Sequence, residues 1–570
     1  MKSIKTLVFS AVVALIFTGC KSTQVVTTQP QLEEIINTPA KKTELSEKEF
    51  NRWSHLDITK DSIAGMSLEK AYQFLEGKKA NPVIVAIADS GVDVNHEDLK
   101  DVLWINADEI ADNTKDDDNN GYVDDIFGWN FLGNAKGEIV TTDQLEITRI
   151  VKRGRAKFGD KKASEIAEKD KLAYQEFLKL NEEYKATIVE KESEIQQMEG
   201  TLNSLKRLQK NFEIVKKLAK TDSLTLEIVQ NLQPPTLTGV MQKQNVENIL
   251  KQGLNEPSML DYKSQVEDYI KEIKKAMAGY DLEINYRQSL GDDLYDITDK
   301  FYGNNNVLGT ADAAKHGTHV AGIVAANRTN NLGAIGVANH VKIMAVRIVP
   351  EADEHDKDVA LGIRYAVDNG AKIINTSFGK RFSPNKEWVY DALKYAAEND
   401  VLIVNAAGND GKNIDVRESY PTDSKDMLTE FTDNVITIGA SSLHYDENLP
   451  ASFSNYGKLN VDVFAPGVDI YATIPNNKYE ALSGTSMAAP SAAGVAALIR
   501  AYYPNLSAKE VKSILMNSGV KINFKVIQPG SKTKTNPKGK KVPFSDLCVS
   551  GKIINAYNAL KLAEYLSNKN

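Results

Sequence analysis

A serine in a setting suited to nucleophilic chemistry lies near the C-terminal end of the chain. Ser486 sits in a turn of small residues, and an alanine-rich apolar stretch follows it over residues 487–498. That stretch predicts a buried helix with Ser486 near its N-terminus. The free N–H groups and the dipole of such a helix stabilise the oxyanion that forms when a serine hydroxyl attacks a carbonyl. Most serines in such positions are simple helix caps, so this stretch alone is weak evidence.

An aspartate and a histidine occupy two further stretches that suit the same chemistry. Residues 84–88 form an apolar run that predicts a buried parallel strand, and Asp89 ends it. Open α/β sheets place their sites at the carboxyl ends of such strands. His316 comes directly before an apolar stretch of small residues that predicts another helix. A carboxylate, an imidazole and a hydroxyl are the groups of a nucleophilic triad.

Three short motifs surround these residues, and together they resemble the signatures of the subtilisin-like serine proteases, or subtilases. The resemblance implies that Asp89 orients the imidazole and that His316 is the general base and then the acid. It implies that Ser486 is the nucleophile. The motifs are Asp-Ser-Gly at 89–91, His-Gly-Thr-His-Val-Ala-Gly at 316–322 and Gly-Thr-Ser-Met-Ala-Ala-Pro at 484–490.

The resemblance also assigns residues that bind the oxyanion and the substrate. Asn409 follows an apolar run, and its side-chain amide is implied to donate to the oxyanion together with the backbone N–H of Ser486. Two extended segments resemble those that pair with the substrate backbone and line the primary specificity pocket. Such pairing recognises backbone groups, so it predicts broad specificity. The implied substrate-binding residues are Ser377, Phe378, Gly379, Ala406, Ala407 and Gly408.

Length, charge and patterning limit the fold and the classes of partner. The chain has 570 residues, more than one compact core holds, which indicates two or three units. Strand and helix patterns alternate after residue 340, which predicts an α/β fold of the subtilisin type, a parallel β-sheet flanked by helices on both faces. The formal net charge of −8 gives no indication of a nucleic acid partner. Two cysteines, Cys20 and Cys548, predict no disulfide framework.

The N-terminal segment resembles a bacterial lipoprotein signal peptide. Lys2 and Lys5 precede an apolar run over residues 7–17, and small residues lead to Cys20. This pattern predicts cleavage before Cys20, a lipid anchor on its thiol and a place in the cell envelope, on the periplasmic or the surface-exposed face of a bacterial membrane. An ordinary secretory signal with an incidental cysteine is the alternative. Residues 20–52 are polar, are interpreted as a tether and are too few for a folded inhibitory propeptide.

An aspartate-rich stretch after the Asp89 strand indicates a structural Ca²⁺ site. Oxygen-bearing side chains alternate there beside a glycine, as in the first half of an EF-hand loop. Their mutual repulsion favours a bound cation. Phe127 stands where an EF-hand has its last glutamate, so other carboxylates must complete the site, and a solvated acidic loop is the alternative. The predicted ligands are Asp116, Asp118, Asn120, Tyr122 through its carbonyl, Asp124 and Asp125.

The interval between Asp89 and His316 is far longer than in a minimal subtilase. Most of the excess, residues 138–301, is charged, and its apolar residues recur at spacings of three and four. This predicts an inserted antiparallel helical hairpin or coiled-coil region. Its role stays open between a lid, a docking arm for a protein partner, a spacer and a purely structural insertion. One of the two apolar seams predicted for this hairpin consists of Tyr262, Val266, Tyr269, Ile273 and Met277.

These patterns divide the chain into five parts and predict one function. The predicted function is a membrane-anchored serine endopeptidase that acts on protein or peptide substrates through an acyl-enzyme. The alternatives are a dedicated processing protease with few clients and a surface adhesion or scaffold lipoprotein that uses the helical arm. The parts are a signal peptide (1–19), a tether (20–52), the first part of the catalytic domain (53–137), the insertion (138–301) and the second part of the catalytic domain (302–570).

Overall fold

The computed structural model describes residues 30–35 and 44–569 of the chain. Apolar, β-branched runs form its strands. The strands in this part of the chain are β1 (Val83–Asp89), β2 (Gly128–Asn130), β3 (Val341–Arg347), β4 (Ile373–Thr376), β5 (Leu402–Ala406), β6 (Val435–Ser441), β7 (Val463–Pro466), β8 (Ile470–Ile474), β9 (Lys478–Leu482), β10 (Val520–Lys521), β11 (Lys525–Ile527), β12 (Lys541–Pro543) and β13 (Lys552–Ile553).

Nine of the described strands form one central sheet. Their order is β10-β13-β7-β6-β5-β4-β1-β3-β2, and every neighbouring pair is parallel except β10 with β13. Two antiparallel hairpins, β8 with β9 and β11 with β12, lie outside this sheet. The carboxyl ends of the parallel strands therefore meet at one edge.

Helices connect and cover the strands. The described α-helices are α1 (Glu47–Phe50), α2 (Ile58–Asp61), α3 (Leu68–Leu75), α4 (Glu146–Phe158), α5 (Lys171–Ala219), α6 (Leu226–Asn231), α7 (Leu237–Lys251), α8 (Glu256–Met277), α9 (Lys315–Ala325), α10 (Asp356–Asp368), α11 (Lys386–Glu398), α12 (Thr485–Tyr502), α13 (Ala508–Ser518) and α14 (Ala556–Ser567).

Both faces of the sheet are buried, which explains why β1 is a continuous apolar run. Val85 and Ile87 face a core shared with α3, α9, α12, α13 and α14. Ala86 and Ala88 point to the opposite core, which α10 and α11 cover. The predicted fold class, a parallel sheet with helices on both faces, is confirmed.

Helices α4 to α8 lie in the predicted insertion. Helix α5 is 49 residues long and packs antiparallel to α8. Lys216 of α5 contacts Glu256 at the start of α8, whereas Lys274 near the end of α8 contacts Glu199. Helices α6 and α7 join the far end of this pair around a small apolar core. The buried residues of that core are Phe212, Val215, Val229, Val246 and Met259.

Two residues of the predicted α8 seam are placed differently by the structure. Tyr262 and Tyr269 are 51% and 46% exposed. The buried side chains of this part of α8 are Val266, Ile270 and Ile273, which lie on one stripe of the helix. Because α8 packs mainly on α5, only this narrow stripe is covered, and the tyrosines flank it.

The predicted signal peptide, Cys20 and part of the predicted tether lie outside the described residues. Residues 30–35 of the tether lie against α14, where the N–H of Glu33 donates to Asn558 Oδ1 at 2.9 Å. Lys70 Nζ contacts the Glu33 carboxylate at 3.0 Å. Residues 30–35 of the predicted tether are thus packed on α14 and on Lys70. Among the described residues, no helix has the length and apolar character needed to span a bilayer.

Candidate active site

The carboxyl edge of the sheet gathers the residues that the motifs single out. Asp89 is the last residue of β1, Ser377 directly follows β4, and Asn409 follows β5. His316 and Ser486 are the second residues of α9 and α12. All five line one cavity of about 960 Å³. Residues from distant parts of the chain therefore share one site.

Asp89 and His316 form a close pair. His316 Nδ1 lies 2.7 Å from Asp89 Oδ1, which also accepts from the N–H of Ser90 at 2.7 Å. The Asp89 side chain is 2% exposed. Burial lowers the pKa of His316, but the Asp89 carboxylate outweighs burial, so this pKa lies above its ordinary value. The aspartate thus orients the imidazole and stabilises its protonated form.

The Ser486 hydroxyl points toward the neighbouring strand end. Its Oγ donates to the Ser377 carbonyl at 3.1 Å, and Ser377 Oγ donates to the Ser486 carbonyl at 2.8 Å. Asn375 Nδ2 in turn donates to Ser377 Oγ at 2.9 Å. In the described part of the chain, Ser486 Oγ has no hydrogen bond to His316. These reciprocal bonds connect the start of α12 to the segment after β4.

Asn409 is held in one orientation by the residue before the serine. Its Oδ1 accepts from both the N–H and the Oγ1 of Thr485, each at 2.9 Å. Thr485 Oγ1 accepts from the N–H of Gly408 at 3.0 Å. Because the amide oxygen is engaged, Nδ2 is the group left to donate into the cavity. Sequence reasoning missed the role of Thr485, although its place directly before the serine in the motif was a usable signal.

A family comparison identifies the chain. The model of the Subtilase family matches residues 80–541, which is most of the chain. The chain belongs to the subtilase family. The resemblance drawn from the three motifs is thereby confirmed.

Curated relatives of this subtilase are proteases of differing length. It is 41% identical over 236 residues to the cell wall-associated protease of Bacillus subtilis (strain 168), a match that covers 41% of this chain and 24% of that protein. It is 41% identical over 207 residues to the thermophilic serine proteinase of Bacillus sp. (strain AK1). That match covers 36% of this chain and 46% of that protein. The chain therefore spans less than half of the length of these two relatives.

A solved protease structure from Pseudoalteromonas arctica PAMC 21717 matches the subtilase with a TM-score of 0.34 and 30% identity. That match covers 44% of this chain and 70% of the solved chain.

The implied substrate-binding residues line the cavity with one exception. Ser377, Phe378 and Gly379 form one side, and Ala406 and Gly408 contribute the other.

Ala407 was predicted with this set, but the structure places it away from the cavity. It is 1% exposed. Its N–H donates to the Ile438 carbonyl at 3.0 Å, and its carbonyl accepts from Asn455 Nδ2 at 3.0 Å. Both backbone groups serve the fold, so Ala407 offers no surface to a substrate.

The insertion contributes side chains to the same cavity, which sequence reasoning missed. They come from the start of α4, from α5 and from the turn after α8. We refer to them as the insertion wall, and they are Leu145, Ile147, Glu183, Thr187 and Tyr280. The wall was not predictable from local pattern, because its members are far apart in sequence and none belongs to a motif.

The aspartate-rich stretch forms an acidic cluster with partly different members than predicted. One carboxylate oxygen each from Glu109, Asp118 and Asp125 lies within 4.8 Å of the others. Asp125 is fully buried and accepts from Tyr365 Oη at 2.6 Å. Burial raises the pKa of Asp125 to about 6. Glu109 was missed because it precedes the aspartate-rich stretch.

Of the remaining predicted ligands, Asn120 lies beside the cluster and donates through Nδ2 to Asp118 and Asp125 at 3.0 and 3.3 Å, whereas Asp116 and Asp124 lie outside it. The Asp116 carboxylate accepts from the N–H groups of Asn120 and Gly121, at 3.0 and 2.8 Å. The Asp124 carboxylate likewise accepts two backbone N–H groups at 3.2 and 2.9 Å. The Tyr122 ring packs on aromatic neighbours. Asp116 and Asp124 thus cap turns of this loop, and Glu109 likewise accepts the N–H groups of Asp117, Asp118 and Asp124.

Proposed function

We propose that this subtilase is a serine endopeptidase that hydrolyses peptide bonds through an acyl-enzyme intermediate. The observation that carries the proposal is the 2.7 Å contact between His316 Nδ1 and Asp89 Oδ1, in a cavity that also holds Ser486. With Nδ1 donating to the carboxylate, Nε2 is the nitrogen left to act as base.

The reaction begins when the Ser486 hydroxyl turns from the Ser377 carbonyl to the imidazole. Oγ bonds to the substrate carbonyl carbon, the hydroxyl proton moves to His316 Nε2, and the carbonyl electron pair becomes an oxyanion. The Ser486 N–H and Asn409 Nδ2 donate to that oxyanion. His316 then gives its proton to the leaving amine as the C–N bond breaks. Water repeats these steps on the acyl-enzyme and releases the acid.

A fluorophosphonate probe tests this proposal, because it reacts covalently with activated serines. We expect the unmutated protein to be labelled and Ser486→Ala to lose the label. Ser483→Ala is the matched control, since Ser483 is an exposed serine of the same turn. Label that persists in Ser486→Ala would contradict the proposed nucleophile.

Broad specificity is part of the proposal, because pairing along Ser377–Gly379 recognises backbone groups. The presence of insertion residues in the cavity favours a second candidate, a processing protease with few clients. Unfolded casein separates the two. A broad protease cuts it at many sites, whereas a selective one leaves it largely intact. A protein partner for the insertion stays a prediction.

The acidic cluster is proposed to hold a structural Ca²⁺. Its support is chemical: Glu109, Asp118 and Asp125 offer only oxygen ligands, and the buried Asp125 has no basic partner among the described residues. We expect EDTA to lower the melting temperature and Asp118→Asn to reduce that effect. Asp112→Asn removes the same charge outside the cluster and serves as the control. An unchanged melting temperature in EDTA would refute the site.

A lipid anchor at Cys20 and a place in the bacterial cell envelope are proposed from the signal-like segment alone. The test is the fractionation of cells that express the full chain. We expect Cys20→Ala to move the protein from the membrane pellet to the supernatant, whereas Ser22→Ala leaves it in the pellet. Equal partitioning of both variants would contradict the anchor.

A further inference from the structure

Lys380 is a buried cation at the end of the segment proposed to pair with substrate. It directly follows Gly379, and its side chain is 2% exposed. Three oxygens lie near its Nζ: Glu146 Oε2 at 2.9 Å, the Glu354 carbonyl at 2.8 Å and Asp356 Oδ1 at 2.8 Å. Burial lowers the pKa of Lys380, but the carboxylates outweigh burial, so this pKa lies above its ordinary value. The side chain therefore stays charged, and the three N–H groups of its ammonium are matched by three acceptors.

The partners of Lys380 belong to segments that line the active-site cavity. Glu146 is flanked in sequence by two members of the insertion wall, and Glu354 itself lines the cavity. The backbone of Lys380 adds a further link, because it exchanges two hydrogen bonds with the backbone of Tyr420, at 2.9 and 2.8 Å. Residues 418–419, directly before Tyr420, also line the cavity. One residue thus joins the substrate-pairing segment to the insertion wall and to two further sides of the cavity.

The other end of the pairing segment is fixed to the nucleophile. Ser377 and Ser486 exchange the two hydrogen bonds described above, which hold the start of the segment against α12. Only two residues separate Ser377 from Lys380. Because these two anchors enclose the segment, a change at Lys380 moves its backbone groups relative to Ser486. A peptide paired with a displaced segment presents its carbonyl at the wrong place, and an error of about 1 Å can cost about 100-fold in rate.

We infer that Lys380 is a positioning residue: its ammonium holds the Ser377–Gly379 segment where a paired peptide presents its carbonyl to Ser486, and Glu146 makes this placement depend on the insertion. The inference rests on the proposed peptidase function. The ammonium acts through the backbone of the segment, because its N–H groups are matched by protein oxygens and none is left for a substrate. A buried cation that is fully paired also has a well-defined position, since losing any one partner is costly.

Two rates measured on each variant test the inference. The first is the rate constant of labelling by a small fluorophosphonate, which requires the triad and the oxyanion donors but no paired peptide. The second is kcat/KM for a fluorogenic peptide with four residues before the scissile bond, which pairs with the segment. We expect Lys380→Met and Lys380→Arg to lower the ratio of the second rate to the first about tenfold. Arginine keeps the charge, but its planar fork does not fit three oxygens placed around an ammonium.

A second buried lysine provides the matched control. Lys357 of α10 has a side chain that is 0% exposed, and it pairs with Asp292 and Asp299 of the predicted insertion. It lies outside the cavity. We expect Lys357→Met to lower the melting temperature without changing the ratio of the two rates. Glu146→Gln keeps the shape of the side chain but removes its charge, and we expect it to lower the ratio about threefold.

The results distinguish a failure of the positioning role from a failure of the proposed function. If the unmutated protein takes no label and cuts no peptide, both are wrong. If it is active and the ratio is unchanged in both Lys380 variants, or falls equally in Lys357→Met, the positioning role alone is wrong. Labelling and cleavage that fall in parallel show a structural role and also overturn it. If neither Lys380 variant folds, Glu146→Gln decides by the same ratio.

Discussion

The base of the insertion, residues 138–199 and 272–301, and its distal arm, residues 200–271, are stabilised by different interactions. In the base, Arg287 contacts Asp358 of α10 at 2.6 Å, and both side chains are 3% exposed or less. In the arm, the apolar residues enclose their own small core. The arm also carries an exposed ion pair, between Lys206 and Glu267.

This difference shows where the catalytic domain ends. A buried charge cannot lose its partner without a large cost, so the base is part of the catalytic domain in physical terms. An exposed ion pair contributes little to the free energy of unfolding. A region with its own apolar core can be removed as a unit. The single helix α5 therefore runs through both the base and the arm, and we expect a change in its base part to affect the stability of the protein more than a change in its arm part.

The largest effect expected from this comparison separates two deletions. Removing residues 138–299 deletes both ion-pair partners of the buried Lys357 and also Arg287, the ion-pair partner of the buried Asp358, so we expect no soluble folded protein. Replacing only residues 200–271 with a short glycine-serine linker keeps those partners. We expect this trimmed protein to fold and to take fluorophosphonate label. If both deletion variants fold and take label, or if neither does, the proposed difference between base and arm is wrong.

Single substitutions test the same distinction at a smaller scale. We expect Arg287→Ala to lower the free energy of unfolding by about 3–5 kcal/mol, because it leaves the buried Asp358 carboxylate without its cationic partner. Lys206→Ala in the arm removes an exposed ion pair, and we expect it to lower the free energy of unfolding by less than about 1 kcal/mol. Urea unfolding measures both. Similar losses for the two variants would show that burial does not separate base from arm.

The core of the arm gives an intermediate case. Val215 is fully buried there. We expect Val215→Ala to destabilise the arm by about 2 kcal/mol, through lost apolar burial. Hydrogen exchange in α7 and α8 measures that loss. Because the arm has its own core, we expect kcat/KM for a short peptide to stay as in the unmutated protein. A loss of activity in parallel with the loss of stability would show that the active site depends on the core of the arm.

The pH dependence of activity has the smallest expected change. His316 must be neutral to act as base, and its pKa lies above the ordinary 6.5 because of Asp89. We therefore expect kcat/KM to rise with pH through a midpoint above 6.5, both in the full chain and in the trimmed protein. In Asp89→Asn, the residual activity has a lower midpoint. A midpoint that shifts on trimming would show that the arm reaches the triad.

Local motifs were sufficient to predict which residues lie at the proposed active site. Asp89, His316, Ser486 and Asn409 each stand in a contiguous stretch whose strand or helix pattern places them at an element end, and the structure brings them into one cavity. The parallel sheet was also predictable, because alternating apolar strands and helices allow few arrangements.

Only the tertiary structure decided which other residues share the site. Glu109 joins the acidic cluster, Ala407 turns away from the cleft, and Glu146 meets Lys380 across 234 positions of sequence. Residues of one short motif stay close together in space whatever fold the rest of the chain adopts. Burial and ion pairing between distant segments depend on how whole elements pack, and no local pattern carries that information.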